Sequence, residues 1–160
     1  MDIYIILDRI CSFIDDPKTF INFSLINKDT RFIANLYKNK KMDQFSKLNF
    51  DSTIIGGLEY CKSSYTLPNG NLHGEKYLSV TFELHPYRYY YNGILVTVLE
   101  LDGWNKIITK YKCNCIDDIN YNYMIKKLCL DNRYLKSSDS KEYKCICCGI
   151  GTILNEYWIN

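Results

Sequence analysis

Apolar positions in the first fifty residues recur at helical spacing; beyond them the pattern changes to alternation. Ile3, Ile6, Leu7, Ile10, Phe13 and Ile14 step by three and four, which predicts a helix over residues 3–14 with these side chains on one face. Asp15-Asp16-Pro17 interrupts the run. Asp16 can accept from the free N–H groups of a following helix, and Pro17 suits its first position, where no N–H is required. This second helix carries Phe20, Ile21, Phe23 and Leu25. A third is expected from near Asp29, with Phe32, Ile33, Leu36 and Tyr37 on its apolar side. Lys38, Lys40 and Lys41 then read as a solvated helix end, where cations also suit the dipole.

After residue 50 the spacing becomes that of strands. In Lys76 to Leu84, Leu78, Val80, Phe82 and Leu84 alternate with Ser79, Thr81 and Glu83, the pattern of one half-buried strand. Tyr87 to Tyr91 and Ile94 to Leu101 flank Asn92-Gly93, which supplies the two positive-φ positions of a tight hairpin turn. Asp102-Gly103 marks a further turn, followed by a strand over Trp104 to Tyr111. One helix is expected from Asp117 or Asp118, with Tyr121, Met124, Ile125 and Leu128 on one face. Short strands near Tyr143–Cys147 and Thr152–Trp158 complete the reading. The fold class is therefore α+β: a three-helix module over residues 1–49, then a small, mostly antiparallel β domain over residues 50–160 with one helix. Three short amphipathic helices cannot cover all their own apolar surface, so the first module reads as a docking element.

Charge narrows the function. A formal net charge of +2 makes no electrostatic case for nucleic acid or an anionic membrane. The apolar start, Ile3 to Leu7, ends at Asp8-Arg9, too short to span a bilayer and unlike a secretory leader. The expected location is the cytosol or nucleus. In that setting disulfides are the poorer account of 8 cysteines, and buried thiols or a metal site are the better ones. Ala34 is the only alanine, while Ile, Asn, Lys and Tyr abound. An AT-rich genome produces that bias without functional cause, so single Tyr or Lys residues carry little weight.

The order of residues in the helical part is more specific than its spacing. Ile6-Leu7-Asp8-Arg9-Ile10, the acidic-Pro break at Asp15-Asp16-Pro17, and Ser24-Leu25-Ile26 followed by Lys28 and Phe32 together resemble an F-box. The likeness covers Met1 to about Leu48. Asp2-Ile3 stands where the family usually opens with Leu-Pro, and the family's Trp near the end of the motif is absent. The resemblance implies a substrate-recruiting adaptor. Its helices would pack on a Skp1-like protein, join a cullin-based ubiquitin ligase, and leave the β domain to hold a protein target. The residues that the resemblance carries over are Ile6, Leu7, Ile10, Phe20, Leu25, Ile26, Lys28 and Phe32, some of which must instead hold the module together.

Asn69-Gly70-Asn71-Leu72-His73-Gly74, with Tyr77 beyond it, resembles the core of a MORN-like β-hairpin repeat; a plain Pro-Asn-Gly turn into a strand is the alternative. F-box and MORN-like segments in one chain resemble proteins of large DNA viruses. Cys113, Cys115, Cys145 and Cys148 form the one credible metal set. Cys145 to Gly149 has the C-x-x-C-G spacing of a zinc knuckle, and four thiolates could close a tetrahedral structural zinc site. Buried cysteines on short strands are the competing reading. Only His73 and His85 exist, neither beside a recognisable nucleophile, and no Walker loop or H-E-x-x-H occurs, so no enzyme is expected. The clustered Tyr87, Tyr89, Tyr90 and Tyr91 read as strand residues, with a partner-binding aromatic patch as the lesser reading. Besides the adaptor, the sequence accommodates a small zinc-stabilised structural or interaction protein with no ubiquitin-ligase role.

Overall fold

The structure, a computed structural model, describes residues 3–80, 83–84, 87–102, 105–127, 135–145 and 148–159. It is α+β, as the pattern predicts: three N-terminal helices, then an antiparallel sheet with a fourth helix. Helix α1 spans Ile3–Phe13, α2 Pro17–Leu25 and α3 Lys28–Phe45. The α1–α2 break forms as the residues require. Asp16 is the N-cap of α2, its carboxylate accepts from the Thr19 N–H at 2.8 Å, and Pro17 follows directly. Asn27 and Thr30 make a reciprocal capping box that starts α3.

The three helices enclose a core of Cys11, Ile14, Phe23, Ile33 and Ala34, with Leu7, Phe20 and Tyr37 packed against it. On α3 it is thus Ile33, Ala34 and Tyr37 that turn inward, while Phe32 and Leu36 stay exposed. Lys41 overturns the expectation of a solvated helix end. Only 2% exposed, its ammonium donates to the Ser12 carbonyl at 3.1 Å, to the Ile14 carbonyl and to Gln44 Oε1 at 3.1 Å. The orphan carbonyls at the end of α1 need donors, and Lys41 supplies them from a neighbouring helix that continues to Phe45.

The passage from helices to sheet falls between Phe45 and Lys47. The strands are β1 Lys47–Ile55, β2 Leu58–Thr66, β3 Leu72–Val80, β4 Glu83–Leu84, β5 Tyr87–Tyr91, β6 Ile94–Asp102, β7 Asn105–Cys113, β8 Leu135–Tyr143 and β9 Gly151–Ile159. Helix α4, Asp118–Lys127, lies between β7 and β8 in the chain. The sheet order is β1-β2-β3-β5-β6-β7-β9-β8, with β4 paired to β3. The Asn92-Gly93 hairpin forms as expected, with φ of +46° and +85° at its two turn residues.

Two strand expectations change. Lys76 to Leu84 is not one strand: β3 ends at Val80 and Glu83–Leu84 folds back to pair with Ser79 and Val80. An alternating run cannot tell a continuous strand from one that reverses on itself; Thr81 and Phe82 lie outside the described residues. The strand expected near Tyr143–Cys147 lies earlier, at Leu135–Tyr143, with Ile146 and Cys147 outside the described residues. Its sequence, LKSSDSKEY, has no apolar alternation; β8 is last in the sheet order and, among the described residues, pairs with β9 alone, and polar edges discourage pairing with other chains. The β1–β2 hairpin around Gly56-Gly57 was not among the expected elements, although an apolar run ending on two glycines is a recognisable turn signal.

A second core holds Tyr91, Val96, Ile116 and Met124, with Met42 of α3 and Ile94, Tyr121, Tyr123 and Ile125 against it. Helix α4 therefore presents the face expected of it; Leu128 lies outside the described residues. The end of α3 joins helices to sheet through polar contacts. Asp43 accepts from Tyr123 at 2.6 Å and faces His73 Nε2 at 3.0 Å, and Asn39 accepts from Tyr91 at 2.9 Å.

Candidate functional site

Helix α1 carries apolar residues around most of its circumference, but its own module covers only one stripe. Leu7 and Cys11 turn inward, while Ile3, Tyr4, Ile5, Ile6, Ile10 and Phe13 are exposed. Asp8, Arg9 and Ser12 make one side of α1 polar, so the exposed apolar residues flank the stripe that faces the module's own core. Ile21 and Leu25 of α2, Ile26 just after it, and Phe32 and Leu36 of α3 are exposed as well. The ring of Phe32 meets Tyr4 edge-on at 6.4 Å, and the Tyr4 hydroxyl donates to Asp29 at 3.0 Å, so α1 and α3 hold one another there.

The structure divides the eight residues carried over by the F-box resemblance. Leu7 and Phe20 pack on the internal core, Phe20 also meeting the Phe45 ring at 5.9 Å. Ile6, Ile10, Leu25, Ile26, Lys28 and Phe32 are exposed. Ile3, Ile5, Phe13 and Ile21 are exposed too and were not among the candidates. Helical spacing marks a residue as apolar-facing but does not say which of two layers it faces.

The four candidate metal ligands come together. The sulfurs of Cys113, Cys115, Cys145 and Cys148 all lie within 4.8 Å of one another, so the group could hold a metal ion. Cys113 is the last residue of β7, and Cys115 sits in the turn that leads to α4, with Ile116 N–H bonded to the Cys113 carbonyl at 3.4 Å. That turn, in place of a continuing strand, lets a C-x-C pair converge. On the other side the Gly149 N–H donates to the Cys145 carbonyl at 2.9 Å, and Gly149 has φ +77°, closing a knuckle that a side chain would strain. Strand pairing joins the two halves, since Cys113 on β7 is opposite Gly151 on β9.

Cys115 Sγ and Cys145 Sγ are 3.8 Å apart. Zinc–sulfur bonds of about 2.3 Å in a tetrahedron put neighbouring sulfurs at about 3.8 Å. Cys113 and Cys145 are buried and Cys148 is exposed. The Cys115 thiol is pushed well up from its ordinary pKa by hydrogen bonding to the Cys148 thiol, then by burial and by the Cys145 and Cys113 sulfurs. Crowded sulfurs resist ionising together unless a cation neutralises them.

His73 is buried and committed to the fold. Its Nε2 faces Asp43, its Nδ1 accepts from the Asn92 N–H at 3.4 Å, and its ring meets Tyr91 edge-on at 5.4 Å. Tyr77, just beyond the hairpin motif, stacks on Tyr87 at 4.8 Å. His85 lies outside the described residues. A recess of about 400 Å³ opens where the end of α3 meets the sheet, lined in part by Asp43, Tyr65, Glu75, Tyr89 and Met124. Glu75 and Tyr65 were not among the candidate residues; they sit on the neighbouring strands β3 and β2 and meet only at this recess. Among the described residues no helix is long and apolar enough to cross a membrane. Compared with protein-family models, with curated proteins and with solved structures, the chain matches none.

Proposed function

We propose that this protein is an F-box-type adaptor: its helices dock onto a Skp1-like protein, and its β domain presents a protein target to a cullin-based ubiquitin ligase. The observation that carries the reading is the uncovered apolar surface of α1, α2 and α3. Burying it against a partner contributes about 25 cal/mol per Å² before the costs of association. Ile6, Ile10, Leu25, Ile26 and Phe32 supply the apolar contact, and Lys28 sets register at the rim. The test is co-purification of a Skp1-type protein with the full chain. Leu25→Asp, at a position 64% exposed, should abolish capture while leaving the circular dichroism spectrum unchanged. Undiminished capture by that variant, or none by the parent, refutes the docking surface.

We further propose that the four cysteines hold one structural zinc, which ties the end of β7 to the turn before β9. The sulfur geometry supports this cofactor, and it serves equally a non-ligase interaction protein stabilised by the same metal. Metal analysis of the purified chain should find about one zinc per molecule, the capacity of one four-thiolate site. The double variant Cys145→Ser, Cys148→Ser should lose it. A chain that refolds fully in chelator and takes up no zinc rules the cofactor out.

A further inference from the structure

The recess between α3 and the sheet has a chemical character that neither the docking surface nor the cysteines use. Glu75 on β3 and Tyr89 on β5 are direct partners, so their side chains leave the same face of the sheet. Tyr65 lies over Gly74, its Cβ 3.8 Å from where a Gly74 Cβ would stand. Tyr77, two residues along β3 from Glu75 and stacked on Tyr87, extends the aromatic surface on that face. Burial, followed by the charge of Glu75, pushes the Tyr89 phenol up to about 12.

The recess is lined by two carboxylates and no Lys or Arg, with His73 also in its lining and turned to Asp43 through Nε2. The carboxylates are Glu75 and Asp43, and the C-terminal end of α3, capped at Ser46, adds the negative pole of a helix dipole. Asp43 is already engaged by His73 and Tyr123. Glu75 makes no hydrogen bond or ion pair among the described residues. Lys76 and Arg88, the basic residues of the same strands, pair with each other on the opposite face.

We propose that this recess binds an organic cation, the guanidinium of an arginine or the methylated ammonium of a lysine, presented by the recruited protein. Tyrosine ring faces attract a cation, most strongly one that is weakly hydrated, and a carboxylate fixes its position. The volume of about 400 Å³ accommodates one long side chain. The cation site stands on its own geometry; that the cation comes from a ubiquitination target rests on the adaptor reading.

The test is an NMR titration of the full, isotope-labelled chain. Three probes are compared: N-acetyl-arginine methylamide, tetramethylammonium, and neutral N-acetyl-norleucine methylamide. At least one cation should shift the amides of Gly74, Glu75 and Tyr89 saturably, and the neutral probe should not. The tighter cation identifies guanidinium or methylammonium as the source. Glu75→Gln should weaken binding roughly tenfold. Tyr89→Leu should weaken it by about three- to tenfold, and Tyr89→Phe, which keeps the ring, should largely retain it. Equal shifts from the neutral probe, no shift from either cation, or undiminished binding by Glu75→Gln overturns the proposal. Cation binding by a chain that captures no Skp1-type protein leaves the site standing and removes only the adaptor reading.

Discussion

Lys38, Lys40 and Lys41 are equivalent as a charge run, and the structure makes them unequal. Lys38 and Lys40 are exposed, whereas Lys41 is 2% exposed and donates to two carbonyls at the end of α1. Replacing Lys41 by Met keeps most of the aliphatic stem and removes the donor. The Ile14 carbonyl, in the buried part of the contact, then loses its partner at a cost of about 1–3 kcal/mol. The Ser12 carbonyl lies at a more open position and can be rehydrated, so it adds little beyond the lost helix-end interaction of about 0.3–1 kcal/mol. An ammonium no longer has to be desolvated, which offsets part of the loss. The expected net effect is about 2 kcal/mol. The assay is urea unfolding followed by circular dichroism, comparing Lys41→Met with Lys38→Met and Lys40→Met. The two exposed variants should lie within about 0.5 kcal/mol of the parent. If all three variants unfold alike, Lys41 is not the cap of α1 and the assigned junction between α1 and α3 is wrong.

Three other outcomes follow from the same contacts. Tyr123→Phe deletes a 2.6 Å hydrogen bond to Asp43 and should cost about 1.5–3 kcal/mol in unfolding experiments, because the acceptor is charged. Tyr89, Tyr91, Tyr121 and Tyr123 have phenols pushed up to about 12, chiefly by burial. The unfolded chain loses those protons first, so stability should be intact below about pH 10 and fall as pH rises from about 10 to 12. Tyrosinate absorbance should then appear together with unfolding, and ionisation of these residues in a chain that stays folded at lower pH counts against their burial. If the four-cysteine site holds zinc, acidification should release it as thiolates take up protons, with a matching drop in thermal stability. A chelator should reproduce that drop at neutral pH, and an unchanged melting temperature excludes a stabilising role.

What could be read from the chain was whatever depends on near neighbours. Asp16-Pro17 starts a helix because the cap and its first N–H groups lie within three residues. Asn92-Gly93 turns because each residue tolerates positive φ. The apolar period placed α1, α2 and the buried Met124 face of α4 for the same local reason. The four metal-ligand candidates were legible by residue type and spacing, since few other roles suit clustered thiols. Their convergence was not, because it needs β7 beside β9 and a turn where a strand could have continued.

Other features exist only between distant parts of the chain. Lys41 is buried because α1 ends beside α3; polar β8 is a strand because β9 offers it an edge. Glu75 meets Tyr89 by register, and Leu7 separates from Ile6 according to which side its own module covers. Local propensity is settled within a few residues of backbone, whereas burial, pairing and convergence depend on which surfaces the rest of the chain brings into reach. The chain by itself thus determined an α+β order and a cysteine set, and tertiary packing alone decided which apolar residues are buried and which stay exposed.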